Sequence, residues 1–191
     1  MPDALDQSTN QRAVNAIRLL TFTGARMSEV LKAEWSQIDF ERGVWTKPSA
    51  HTKQRKTEHI PLSAPALALL SKMKDEAVSG VLFIFPGDAL GKPLQYFTKE
   101  WAKVTKQAGL EGVRIHDLRH TYASHLVSSG LSLEIVGKLL GHTQTSTTQR
   151  YGHLADDPLR EATNRMGVIV EQASGNGQDA EIINLRGGKM N

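Results

Sequence analysis

The window WSQIDFERGVWTK, residues 35–47, is where helical spacing gives way to alternation. Ile38 alternates with Phe40, Glu41-Arg42-Gly43 supplies a turn, and Val44 follows the glycine. That pattern predicts a β-hairpin. Pro48 ends its second arm, and the polar, basic stretch SAHTKQRKTEH leads to another short strand around HIPL. Residues 36–61 therefore read as a small antiparallel sheet of three strands.

The rest of the pattern is helical. Thr9 or Asn10 caps a helix over 11–22 that carries Val14, Ile17, Leu19 and Leu20, and Gly24 breaks it. A second short helix over 26–34 carries Met27, Val30 and Leu31. Ser63 stands before APALALLSKMKDEA, a further helix. VLFIF at 81–85 is a short apolar run closed by Pro86-Gly87, and helical patterns follow at 94–108, 117–129, 132–140 and 156–171. Residues 1–10 read as loop. The Gly-rich, polar end ASGNGQDAEIINLRGGKMN reads as a flexible tail, with AEIINL able to add a strand or dock on a neighbour. The expected class is mainly α (α+β): one domain over 1–172 with a small sheet in its N-terminal third, then the tail, 173–191.

Apolar residues make up 39% of the 191, enough for a core, and there is no cysteine for disulfides, thiolate metal sites or nucleophilic catalysis. The N-terminus lacks the apolar segment of a signal peptide, and ALALL at 66–70 is far too short to span a membrane. An intracellular setting is the expectation. A net charge of +3 permits a nucleic-acid partner without demanding one.

The segment RIHDLRHTYASH, residues 114–125, holds three histidines and two arginines. Asp117 is expected as the N-cap of a helix on which Leu118, Tyr122, His125 and Ser129 share a stripe, turning His125 toward the core. His116 and His120 have a metal-ligand spacing, but the residues between them are Asp-Leu-Arg, without the glutamate base of the zinc motif. The fixed charge of Arg119 also opposes a dication. A helix start that offers free N–H groups, a histidine and a bidentate arginine suits an anion better. On this segment alone a salt-bridged structural arginine reads equally well.

Three other segments bear on the choice. TFTGARMSEV places Arg26 just after Gly24, with Glu29 one turn on. HTKQRKTEHIPL is the densest basic stretch, carrying Lys53, Arg55 and Lys56 between His51 and His59; on a hairpin loop it could lie along a DNA backbone or be a solvated polar loop. LLGHTQTSTTQRYGHL ends a helix at Gly141, follows it with His142, and reaches Tyr151 after a threonine-rich run.

The order TGARMSE, HTK, HDLRH, LGH and then a tyrosine nine residues beyond the last histidine resembles the tyrosine recombinase family of phage and bacterial integrases. The resemblance runs over about residues 12 to 165. It implies the helical catalytic fold of that family and a site-specific recombinase that cuts and rejoins DNA through a 3′-phosphotyrosyl link, for integration or excision of a phage or mobile element. Arg26 and Arg119 would clamp the scissile phosphate. Lys53 would protonate the leaving oxygen, His116 and His142 would fill the two histidine positions, Tyr151 would be the nucleophile, and Glu29 would stand behind the first arginine. Arg55 and Lys56 would touch DNA, while His120, Arg150 and His153 receive no role. The family implies double-stranded DNA as partner, a tetramer on it, an accessory DNA-bending protein in some systems, no cofactor and no metal, and action on the bacterial nucleoid in the cytoplasm. The helical N-terminal DNA-binding domain that family members usually carry has no counterpart in this sequence.

These residue types suit that chemistry. Charge builds on the non-bridging oxygens of the phosphate during attack, and two fixed arginines stabilise it; losing one such donor costs on the order of 10²–10³ in rate. A phenol with a reference pKa of about 10 needs a base, for which His116 is the candidate. One phosphoester replaces another, so neither ATP nor a metal is demanded by the energetics.

Overall fold

The computed structural model describes residues 2–48, 57–142 and 145–173. Lys53, Arg55, Lys56 and the tail segment AEIINL lie outside these described residues. Helices α1 (Pro2–Asp6), α2 (Gln11–Thr23) and α3 (Met27–Leu31) open the fold. A 3-10 turn, Trp35–Gln37, leads into strands β1 (Ile38–Asp39), β2 (Val44–Lys47) and β3 (Glu58–Pro61). Helices α4 (Ala64–Asp75), α5 (Thr98–Gln107), α6 (Asp117–Ser128), α7 (Leu133–Leu139), α8 (Thr145–Gln149) and α9 (Asp156–Ala173) follow.

The sheet has the antiparallel order β1-β2-β3. Its register pairs Ile38 with Trp45, Trp45 with Ile60, and Lys47 with Glu58. Alternation buries Trp45 and Lys47 on one face of β2. The expected hairpin and third strand are both present. VLFIF is not a strand: it touches the sheet region through one bridge, Glu34 to Phe83, and buries Ile84 and Phe85.

Asn10 is the cap that forms on α2, its Oδ1 accepting from the Ala13 N–H at 3.1 Å. Gly24 ends the helix in the left-handed region, φ 60°, and donates its N–H to the Leu20 carbonyl. Ser63 precedes α4 but its hydroxyl makes no cap bond.

Three local expectations are corrected. Residues 2–6 are helical rather than loop; Ala4 and Leu5 are buried in the core, and Ser8 Oγ donates to Glu100 Oε1 of α5 at 2.7 Å. Tertiary burial stabilises a helix too short to signal itself. Asp117 is the first residue of α6, not its cap: its carboxylate accepts from the Arg114 backbone N–H at 2.9 Å and the Arg114 side chain at 3.0 Å. His125 is exposed, because the fully inward line of α6 runs through Arg119, Ala123 and Val127.

Two apolar clusters result. The larger surrounds α2, with Val14, Ile17 and Leu20 against Trp45, Leu70, Phe85 and Val104. The smaller joins Ala123 and Val127 of α6 to Val136, Leu140 and Tyr151. Helix α6 belongs to both, since Leu118 lies in the larger cluster and Ala123 in the smaller. Among the described residues, no helix is long and apolar enough to cross a membrane.

Candidate active site

The seam between the two clusters is where the charged residues gather. Arg119 points inward from the first turn of α6 and is 5% exposed. Its Nη1 donates to the Gly24 carbonyl at 2.7 Å and its Nη2 to the Leu140 carbonyl at 2.5 Å. Those carbonyls sit at the ends of α2 and α7, where helices leave acceptors free. One side chain thus ties the two halves together, and its cation is held by fixed acceptors rather than by a carboxylate. Burial above all, and then the charge of Arg26, bring the Arg119 guanidinium down to about 10, with Glu29, Tyr151 and Glu58 acting the other way. It stays charged at neutral pH.

Arg26 stands at the start of α3. Its Nη1 donates to Glu29 Oε1 at 2.6 Å, and its backbone N–H to Glu29 Oε2 at 3.1 Å. Glu29 therefore caps its own helix and aims the arginine. Glu29 is itself gripped by Lys47, whose Nζ donates to Oε2 at 2.9 Å. Burial raises the Glu29 carboxyl, but Lys47 and Arg26 outweigh it and hold it below the ordinary carboxylate value. Lys47 is 2% exposed and also lies 2.7 Å from Glu58 Oε2 across the β2–β3 pair. Three cations, Arg26, Arg119 and Lys47, thus face two carboxylates, leaving one positive charge in excess.

Gly141 closes this cluster from the other side. A Cβ there would come within 2.4 Å of both Glu58 carboxylate oxygens, and its φ of 64° also favours glycine. His142 follows, its N–H donating to the Gly137 carbonyl at 2.8 Å. His142 Nδ1 lies 2.9 Å from Oγ1 of the buried Thr148, which leaves Nε2 as the nitrogen for a ligand. Burial first, then Arg119, Arg26 and Arg150, lower His142 to about 4, so its imidazole is neutral at pH 7.

Tyr151 follows α8 and packs its ring into the smaller cluster at 6% exposure. Its Oη lies 2.6 Å from Nδ1 of His120. His116, the N-cap of α6, sets its ring edge-on to that of His120 with centroids 4.9 Å apart. Burial, then His120 and Arg119, lower His116 below the ordinary imidazole value. Burial raises the Tyr151 hydroxyl, against the pull of Arg150 and Arg119.

Arg26, Glu29, His116, Arg119, His142 and Tyr151 are thus brought to one seam. Two residues of the seam have no role in the sequence pattern. His120 stands against the hydroxyl of Tyr151, and its four-residue spacing from His116 was the available signal. Lys47 is the buried counterion of Glu29, and strand alternation with Trp45 was the clue to its inward direction. Among the described residues, no group of three or more His, Asp or Glu side chains is placed to hold a metal ion.

Residues 1–157 match the profile of the phage integrase family. The chain belongs to the phage integrase family. Among its relatives, the integrase of Salmonella phage P22 is 32% identical over 162 residues, 77% of this chain and 40% of that protein. The tyrosine recombinase of Thermosipho africanus is 31% identical over 165 residues, 85% of this chain and 57% of that protein. Tyrosine recombinase XerD of Neisseria meningitidis is 32% identical over 170 residues, 84% and 54% of the two chains. This family member therefore spans about half the length of the curated relatives it matches.

Its fold is that of the catalytic domain of bacteriophage HP1 integrase, with a TM-score of 0.63 at 25% identity, covering 85% of this chain and 86% of that one. The Tn1549 transposon integrase in complex with a circular intermediate DNA superposes with a TM-score of 0.71 at 18% identity, over 86% of this chain and 63% of that one. Both likenesses support the mainly helical fold with a small antiparallel sheet.

Proposed function

We propose that this chain is the strand-cutting and rejoining domain of a site-specific DNA recombinase, which breaks a phosphodiester by forming a 3′-phosphotyrosyl link through Tyr151. The observation that carries the reading is the pair Arg26 and Arg119, held by fixed acceptors close enough to repel, beside the Tyr151 hydroxyl. Like charges forced together with a positive excess favour an anion between them. A guanidinium offers the forked donors that phosphate oxygens take.

On this reading the arginines stabilise the charge that builds on the non-bridging oxygens. His142 donates from Nε2 to the same phosphate, its Nδ1 engaged with Thr148. The phenol proton passes to a histidine at the start of α6, which on the family pattern is His116. Lys53 protonates the departing 5′-oxygen. The strands that flank it in sequence support that role, because Lys47 and Glu58 pair at the ends of β2 and β3 and Lys47 reaches Glu29 beside Arg26. Arg55 and Lys56 contact the DNA backbone. Attack by a partner strand's 5′-hydroxyl on the phosphotyrosine completes the exchange.

Further parts of the proposal rest on the relatives. The DNA complexes among the solved structures support a double-stranded DNA partner. A tetramer on DNA, an accessory bending protein in some settings, and action on the bacterial nucleoid in integration or excision of a mobile element complete it.

Covalent trapping tests the reading. The protein is mixed with nicked duplexes of random sequence and denatured in SDS, and DNA linked to Tyr151 through a 3′-phosphate is recovered. Tyr151→Phe is expected to bind DNA and link none. Arg26→Ala and Arg119→Ala are expected to slow linkage by about 10² or more. An arginine variant that cuts at the wild-type rate would remove that residue from the phosphate clamp.

A further inference from the structure

We propose that His120 is the base that takes the proton from Tyr151, and so is a catalytic residue beside the six named for the reaction. This inference rests on the proposed function and assigns a step within it. The sequence pattern alone directed that proton to His116. The geometry points to the next histidine on the same face of α6.

The argument starts from distance. Tyr151 Oη and His120 Nδ1 are 2.6 Å apart, at the short end of the reach required of a general base. Helix geometry explains why this histidine is in place. His116 and His120 are four residues apart and meet edge-on on one face, and His120 is the one that meets the Tyr151 hydroxyl. The ring planes of His120 and Tyr151 are tilted by 50° with centroids 6.0 Å apart, so the contact runs through the polar edges rather than by stacking.

The groups around the pair favour transfer in that direction. His116 and Asp117 lie beside His120 on α6, while Arg119 and Arg150 act on Tyr151. Asp117 favours the imidazolium once formed, and the two arginines favour the phenolate as the proton leaves. Burial keeps the phenol neutral until a base removes its proton. A neutral His120 protonated at Nε2 presents a lone pair at Nδ1, to which Oη–H donates.

The step balances. The Oη–H bond breaks and the proton moves to Nδ1. The Oη electron pair forms the bond to phosphorus, and the bond from phosphorus to the 5′-oxygen breaks. Lys53, the general acid of the proposed function, supplies that oxygen with its proton. The imidazolium left on His120 returns its proton to Oη when the phosphotyrosine is resolved by a 5′-hydroxyl.

The test compares wild type, His120→Asn, His116→Asn and Tyr151→Phe in single-turnover linkage to pooled nicked duplexes of random sequence, across pH. The substitution His120→Asn keeps a polar atom near Nδ1 but cannot take a proton. It is expected to slow linkage by about 10²–10⁴ with DNA affinity unchanged. Its rate should keep climbing with pH as hydroxide takes over the base's work, whereas the wild-type rate should depend less steeply on pH. Added imidazole should restore part of the rate to His120→Ala. Duplexes with a 5′-bridging sulfur, whose leaving group needs no proton, should not rescue His120→Asn. A His120→Asn protein with wild-type rate and pH profile overturns the inference and leaves the recombinase reading intact. Faster linkage also overturns it, marking His120 as a latch on the nucleophile. Wild-type protein that forms no Tyr151 linkage removes the recombinase reading, and this step with it. In the DNA-free protein, ¹⁵N NMR should show His120 with an unprotonated Nδ1 at neutral pH; a proton resident there also overturns the inference.

Discussion

Single residues at the seam carry both the electrostatics and the architecture. Lys47 is the clearest example. It is the buried cation between Glu29 and Glu58, and its removal strands two carboxylates in the interior. Breaking a buried pair by deleting one partner costs about 3–5 kcal/mol. Lys47→Met is therefore expected to lower stability by that order in urea unfolding. Adding Glu58→Gln should recover part of the loss, since it removes one stranded charge. Lys138→Ala, which breaks an exposed pair with Glu134, should leave the midpoint where it was. Equal effects of the two lysine substitutions would show that the buried cluster contributes nothing special. The same cluster explains why Glu29 was legible from the sequence while Lys47 was not. Glu29 reaches Arg26 within one turn, whereas Lys47 meets Glu29 only after the sheet folds back on α3.

The elements are mostly short, and their ends do the positioning. Gly24 ends α2, offers its carbonyl to Arg119 and leaves room for the Tyr122 ring. A Cβ at Gly24 would fall 2.5 Å from Tyr122 Cδ1, on a backbone with φ 60°. Gly109 has a similar φ of 66° but nothing within 4 Å. Each substitution to alanine pays for the left-handed backbone, about 1–3 kcal/mol. Gly24→Ala adds an overpacking cost of about 1–3 kcal/mol that Gly109→Ala lacks. Thermal unfolding should rank Gly24→Ala well below Gly109→Ala, and Gly24→Ala should also slow DNA linkage because the Arg119 acceptor moves. A Gly24→Ala protein as stable as Gly109→Ala would mean that Tyr122 yields freely. Helix α6 shows the limit of pattern reading at this scale. Its apolar periodicity is weak, because an arginine occupies the inward line, so a stripe drawn through the larger side chains turned His125 the wrong way.

At the scale of the whole molecule, two of the shifted groups show how stability responds to acid. His142 is lowered to about 4 in the fold, against about 6.5 in an unfolded chain. As pH falls below about 6.5 the unfolded imidazole binds a proton that the folded one does not, so stability declines until pH nears 4. Glu29 is shifted below its ordinary value, so its contribution is present above about 4.5 and is lost as pH falls through its folded value. Denaturation midpoints should fall in two stages, and His142→Gln should flatten the first while sparing the second. A midpoint independent of pH between 6.5 and 4.5 would contradict the His142 shift, and one that stays level below 4.5 would contradict that of Glu29. The sequence alone determined the class of fold, the three-stranded sheet, most of the helices and, by motif order, six residues that meet at one seam, because periodicity, glycine breaks and motif spacing are local signals. Only the tertiary structure decided that Arg119 bridges the two apolar clusters, that Lys47 is the counterion behind Glu29, and that His120 rather than His116 meets the Tyr151 hydroxyl. Each of those contacts joins segments far apart in the chain, and its partner is chosen by how α6 is rotated and how β2 folds onto α3. No local pattern encodes those angles, because they follow from the packing of the whole core.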